Sequence, residues 1–251
     1  PNILSSFKLR FYRWFHFFCD YIVSNSKTNL DMINQINPFL NKRKMKVICN
    51  FVDNNVYASQ EFEKSKKQND KLKILVASSH QNHKNAKGLI ESLNNLDEII
   101  KSKIFISWYG AISPDNSYYK NQALINEYNL EKVIEFLPET PYIKEKMLQS
   151  DVVGLFSFYE GLPNVICEAM MLGKPVITSA VSDLPDILKN TQNLLFNPND
   201  NNQIEEMLSR LVSMNKEDFT KIANSNKELA MKLFDKTIVL EKYLKLLKEN
   251  T

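Results

Sequence analysis

Short apolar runs recur along the chain with helical patterns between them. Ile74–Ala77 (ILVA), Ile104–Ser107 (IFIS), Val133–Phe136, Val152–Phe156 (VVGLF) and Val176–Ser179 read as strands. Their cores are continuous rather than alternating, as in strands covered on both faces. Ala86–Leu96, Tyr118–Tyr128, Tyr142–Gln149, Asn164–Leu172 and Leu184–Leu188 follow them in turn and read as helices. Such alternation predicts an α/β fold, a doubly wound parallel sheet. From Gln203 onward the pattern is helical, ending in one long amphipathic segment, Asn226–Lys248.

The front of the chain carries a smaller version of the same pattern. Tyr21–Val23 reads as a strand, Ser24-Asn25-Ser26 as a helix cap, Lys27–Ile36 as a helix stopped near Pro38, and Met45–Cys49 as a second strand. This is a βαβ fragment, too small to be an independent sheet. Glu61–Lys73 (EFEKSKKQNDKLK) is almost free of apolar residues and reads as a linker or surface segment. The expected organisation is therefore a partial α/β unit over residues 1–57, a linker over 58–70, a ligand-binding domain over 71–225 and a C-terminal helix over 226–251.

Composition narrows the function classes. With 251 residues, 43% hydrophobic content and a formal charge of +3, the chain is long enough for a real core and too weakly basic to indicate nucleic acid. Three widely spaced cysteines, Cys19, Cys49 and Cys167, form neither a disulfide framework nor a zinc pattern, which points to a reducing, cytoplasmic setting. No run reaches the roughly 18 apolar residues of a membrane span. Ser5–Phe18, with FKLRFYRWFHFF after two serines, reads as a helix of interleaved basic and aromatic residues. It suits either peripheral contact with the inner face of a membrane or packing against another part of the protein.

In an open parallel sheet, ligands bind beyond the carboxyl ends of the strands. After Val152–Phe156 the chain reads SFYEGLPNVICEAMMLGKPVITS. Glu160 lies in a loop with Gly161, Leu162 and Pro163; Asn164 is expected to cap the next helix, and Glu168 lies one turn into it. A helix start presents free N–H groups and a positive dipole end, a seat for a diphosphate. Glu168 can accept from the two hydroxyls of a ribose, and Glu160 can reach those of a sugar. Both acids could equally be solvated surface groups. After Ile74–Ala77 comes SSHQNHKNAKG, with Lys84 as a candidate anion ligand and His80 and His83 as polar loop residues or weak substitutes for a cation.

The string EGLPNVICEAMMLGKPVI, with acids at positions 160 and 168, resembles the E-x7-E region of group 1 (GT4-like) retaining glycosyltransferases. These have the two-domain GT-B fold, whose donor-binding half is Rossmann-like. The resemblance extends over roughly residues 19–250, since DYIVSNSKTN and KVICNFVD resemble the end of that family's N-terminal domain; the first part of that domain has no counterpart here. It implies an enzyme moving a sugar from a UDP- or GDP-linked donor to a glycan or lipid-linked acceptor, without metal, cofactor or nucleic acid. Glu160 and Lys84 are implied as the catalytic pair. Glu168, Gly161, Leu162, Pro163, Asn164, Val165, Gly110, Leu137, Pro138 and Ser79 are implied around the substrate. Leu137-Pro138-Glu139 would hold the nucleobase by backbone groups, and Gly110 would leave room for the donor or serve as a turn. Ser79 stands where the family carries an Arg, which removes one cation from the diphosphate site. Ser182-Asp183-Leu184-Pro185-Asp186 resembles a segment near the donor and reads first as helix capping. The Lys- and Asn-rich composition suggests a bacterial source and surface polysaccharide synthesis. Two alternatives remain open: a weak nucleotide-sugar- or partner-binding module, and a nucleotide-sugar 2-epimerase, against which the EGLPNVICEAM string argues.

Overall fold

The computed structural model describes residues 15–53, 71–191 and 194–248. The linker expected over 58–70 and most of the Ser5–Phe18 helix lie outside them; residues 15–18 are helical.

The small N-terminal unit is β1 (Ile22–Ser24), α1 (Lys27–Ile36) and β2 (Met45–Val47). β1 and β2 pair in parallel, as a βαβ unit requires. Ser26 is the N-cap of α1, its hydroxyl accepting from Asn29 N–H.

The larger unit is a parallel sheet of six strands. These are β3 (Leu72–Ala77), β4 (Ile104–Tyr109), β5 (Ile134–Leu137), β6 (Val152–Leu155), β7 (Val176–Ser179) and β8 (Leu194–Phe196). Their spatial order is β5-β4-β3-β6-β7-β8. Every pair in it is parallel. The chain winds outward from β3 to β5, then returns to place β6 on the other side of β3. The order therefore reverses between β3 and β6, and their connections leave in opposite directions, opening a crevice at their carboxyl ends.

The sheet is accompanied by helices α2 (Ala86–Asn95), α3 (Glu98–Ser102), α4 (Ser117–Glu127), α5 (Ile143–Gln149), α6 (Asn164–Met171), α7 (Leu184–Leu188), α8 (Asn201–Ser213), α9 (Lys216–Phe234) and α10 (Lys236–Lys248). Strand alternation divides the core. Ile74 and Val76 pack with Leu89, Ile90 and Leu93 of α2 and Ile204 and Leu208 of α8. Leu75, between them, joins Ile166 and Met170 of α6 and Phe234 of α9 on the other face. Both sheet faces are thus covered, which explains the continuous apolar runs.

The elements depart from the sequence reading in three places. A sixth strand, β8, closes the sheet edge, and the short helix α3 has no counterpart in the apolar pattern. The segment Asn226–Lys248 is not one helix: α9 begins at Lys216 and ends at Phe234, and Asp235 starts α10 by accepting from Thr237 N–H and Ile238 N–H at 2.8 and 3.2 Å. The apolar period runs through this break, because Ala230, Phe234 and Val239 are all buried. No described helix is long and apolar enough to cross a membrane.

Candidate functional site

The two loops flanking the strand-order reversal meet. Beyond β3 the chain passes through Ser78–Gln81 into a 3-10 turn over Asn82–Lys84, and Asn85 then takes a left-handed conformation with φ 59°. Asn85 can hold that conformation because its side chain caps α2, accepting from Gly88 N–H at 3.1 Å, while its amide donates to the Pro198 carbonyl at 3.0 Å. The corner aims Lys84 across at the loop beyond β6, where its Nζ donates to Glu160 Oε1 at 2.6 Å. Ser157 Oγ donates to the same oxygen, also at 2.6 Å. Phe158 N–H donates to the His83 carbonyl at 2.8 Å, and the His83 ring stacks on Tyr159 with centroids 4.8 Å apart. Lys84 and Glu160 are 16% and 15% exposed, so a ligand can reach the pair.

Beside this pair lies the start of α6. Its N-cap is Pro163, and no side chain caps it. Asn164, expected as the cap, is instead the first helical residue, and its Oδ1 accepts from Asn50 Nδ2 of the N-terminal unit at 2.6 Å. Ile166 and Cys167 N–H donate back to the Pro163 carbonyl, leaving the earlier amides of Asn164 and Val165 at the positive end of the helix. Leu162 is buried and Glu168 is half-buried in the first turns. Gly161 faces the N-terminal unit: a Cβ there would stand 3.2 Å from Asn29 Nδ2 and 3.4 Å from Asn25 Oδ1. The helix ends at Gly173 with φ +68°. Lys174 is buried, its Nζ donating to the carbonyls of Leu148 and Ser150; burial pushes its pKa down to about 8. This lysine of the GKP string therefore ties α6 to α5 and does not face the crevice.

The remaining expected residues sort by environment. Gly110 is demanded by protein packing, since a Cβ would lie 1.9 Å from the Ser78 carbonyl oxygen. That same oxygen accepts from Trp108 Nε1 at 2.8 Å, so it cannot withdraw without losing a bond. Leu137 and Ser79 are half-buried and Pro138 is exposed at the neighbouring strand ends, and the Leu137 carbonyl accepts from Gly110 N–H. His80 is no substitute cation. It is 1% exposed among Trp108, Tyr118 and Phe136, with neither ring nitrogen in a well-formed hydrogen bond among the described residues. Burial lowers its pKa to about 4, against a weaker opposing contact with the Leu137 backbone. His83 lies next to Lys84; burial and then Lys84 lower its pKa, against Glu160 and Asp115. Asp183, expected to cap its own helix, has no such bond. It caps α1 instead, accepting from Lys27 N–H at 2.6 Å, Thr28 N–H at 3.0 Å and Thr28 Oγ1 at 2.9 Å. Among the described residues no group of His, Cys, Asp and Glu side chains could hold a metal ion.

A doubly wound sheet with a lysine–glutamate pair and an uncapped helix start at its switch point defines an α/β protein of the kind that takes ligands beyond its strand ends. Residues 58–229 match the family model "Glycosyl transferases group 1", and the chain belongs to that family. A curated relative, the N-acetyl-α-D-glucosaminyl L-malate synthase of Bacillus anthracis, is 22% identical over 163 residues, 63% of this chain and 42% of the relative. Among solved structures, Anabaena HepE with UDP and glucose is similar at TM-score 0.83 and 20% identity, covering 96% of this chain and 66% of HepE. A mutant of S. aureus TarM, in complex with fondaparinux, α-GlcNAc-glycerol and UDP, is similar at TM-score 0.73 and 19% identity, covering 94% of this chain and 45% of TarM. The chain thus spans less than half of that curated relative and just under two thirds of HepE.

Proposed function

We propose that this chain carries the nucleotide-sugar-binding part of a retaining glycosyltransferase that moves a sugar to a glycan or lipid-linked acceptor in surface polysaccharide synthesis. The observation that carries the reading is the 2.6 Å Lys84–Glu160 contact at the switch point, beside the uncapped start of α6. In this reading Lys84 and the amides of Asn164 and Val165 take the diphosphate, the group on which negative charge grows as the bond to the sugar breaks. Glu160 holds hydroxyls of the donor sugar and is not assigned as a nucleophile. Glu168 holds the ribose, and the Leu137–Pro138 backbone the base. The UDP bound in the HepE and TarM structures supports a uridine donor, and the α-GlcNAc-glycerol bound in TarM supports a hydroxyl-bearing acceptor.

Isothermal titration with UDP, GDP, UDP-glucose and GDP-mannose tests the donor site. One nucleotide series should bind, and Lys84→Ala should weaken it about tenfold or more, as loss of a charge-assisted contact does. Failure of all four to bind would remove the reading. A second reading, a donor-binding module without transfer, is favoured by Ser79 in the place of an arginine. Binding without release of nucleoside diphosphate, with a panel of simple glycoside acceptors present, would select it.

A further inference from the structure

The N-terminal unit brings amide side chains to the rim of this site. Asn25 and Asn29 flank Gly161, the residue after Glu160, at a distance that leaves no room for a Cβ without displacement. Asn29 Nδ2 donates to Asn25 Oδ1 at 3.3 Å. Among the described residues this leaves the Asn25 amide hydrogens and Asn29 Oδ1 without a side-chain bond, a donor and an acceptor side by side. A hydroxyl is both donor and acceptor, so such a pair is its complement, and neither amide carries a charge. The pair is also held firmly. Asn29 N–H is bound by the fully buried Ser26, and the start of α1 by the Asp183 carboxylate. Immobilised polar groups of this kind bind without first having to be ordered.

Resting on the donor reading above, we propose that Asn25 and Asn29 form a subsite for hydroxyls of a neutral carbohydrate acceptor, presented across Gly161 to the sugar held by Glu160. The placement fits two substrates meeting from opposite sides. Lys84, Glu160 and the α6 amides come from the large sheet, whereas the asparagines come from the small unit facing it. Asn50, donating to Asn164 Oδ1 at 2.6 Å, keeps that side chain turned toward the small unit.

The test is saturation-transfer NMR on the full chain, with and without UDP. Methyl α-D-glucopyranoside and methyl α-D-galactopyranoside serve as neutral probes, and glycerol 1-phosphate as an anionic one. UDP affinity and the melting temperature are measured alongside for each variant. At least one methyl glycoside should receive saturation. Asn25→Ala and Asn29→Ala should each weaken its apparent affinity about fivefold, the scale of one hydrogen bond, with UDP affinity unchanged. Where an alanine variant melts early, Asn29→Gln, which keeps the amide but moves it by one methylene, should give the same loss. The proposal is overturned if neither glycoside receives saturation, if the variants bind it as the parent does, or if glycerol 1-phosphate binds better at the same residues. Absence of binding by the parent of both the UDP and the GDP series would be a failure of the donor reading, seen separately in the titration.

Discussion

Lys84 and Glu160 neutralise one another across 76 positions of the sequence, so each alters what the other can bind. On the proposed donor reading, a bare nucleoside diphosphate would compete with Glu160 for Lys84, whereas the sugar of a complete donor would gain from Glu160. Glu160→Gln should therefore strengthen UDP or GDP binding by about twofold to fivefold, the range of a partly exposed ion pair, yet weaken the matching nucleotide sugar. A parallel loss for both ligands in the titration would contradict these assignments. His80 supplies a different test. Its pKa in the folded chain is about 4 against an ordinary 6.5, so folding favours the neutral ring. The resulting stability is fully present above about pH 6.5 and is lost as pH falls toward 4, because the unfolded chain binds the proton first. His80→Leu should remove this pH dependence: between about pH 6.5 and 4 the melting temperature of the parent should fall progressively relative to that of the variant. Equal pH slopes would show that the ring is not buried neutral.

Asp183 does for α1 what a helix normally does for itself. Its carboxylate meets two backbone amides and a hydroxyl at the positive end of a helix more than 150 positions earlier in the chain. Asp183→Ala should cost about 1–2 kcal/mol, the range of a lost helix cap, read as faster amide exchange in Lys27–Ile36 with the six-stranded sheet unaffected; Asp183→Asn should recover most of it. This contact was illegible in the sequence, because the partners of Asp183 are main-chain groups that leave no trace in residue identity. That Lys84 and Glu160 lie at one sheet end was legible for the opposite reason: strand alternation fixes which loops share that end, though not that the two side chains touch. Local signals fared unevenly. Ser26, within the expected Ser24-Asn25-Ser26 cap, could be read directly, since it acts on its own neighbours. β8 has only three residues, too few for a period, and Asp235 interrupts a buried stripe that continues on either side. At Asn164 a cap residue stood one position too late, inside the helix that Pro163 already begins. Gly110 read either as room for the donor or as a turn, and in the structure a Cβ there would meet the Ser78 carbonyl.

The small unit depends on the large one. Its own core is Ile22, Leu30 and Leu40, and a two-stranded sheet with so little apolar burial is marginal in water. What holds it in place is distributed over several contacts. Val52, 4% exposed, enters the core beside Ala230 and Phe234, and its N–H donates to the Phe234 carbonyl at 2.8 Å. Next to it Lys236 Nζ meets Asp53 Oδ2 at 3.2 Å, and on the far side stand the Asp183 and Asn50 bonds. The apolar anchor outweighs the exposed ion pair, since burying a valine is worth about 1.5–3 kcal/mol and a surface pair about 0–1 kcal/mol. Val52→Asp replaces that anchor with a carboxylate among the apolar side chains of Ala230 and Phe234, and should release the small unit before the sheet unfolds. Hydrogen exchange should then show protection lost across Ile22–Val47 and retained in β3, β4 and β6, while Lys236→Met, removing only the ion pair, leaves both nearly as they were. Donor binding gives the functional counterpart. Because Lys84, Glu160 and α6 all belong to the large unit, UDP affinity should survive in Val52→Asp, and any glycoside binding that depends on Asn25 and Asn29 should disappear. If the two affinities fell together, the division of the site between the two units would be wrong.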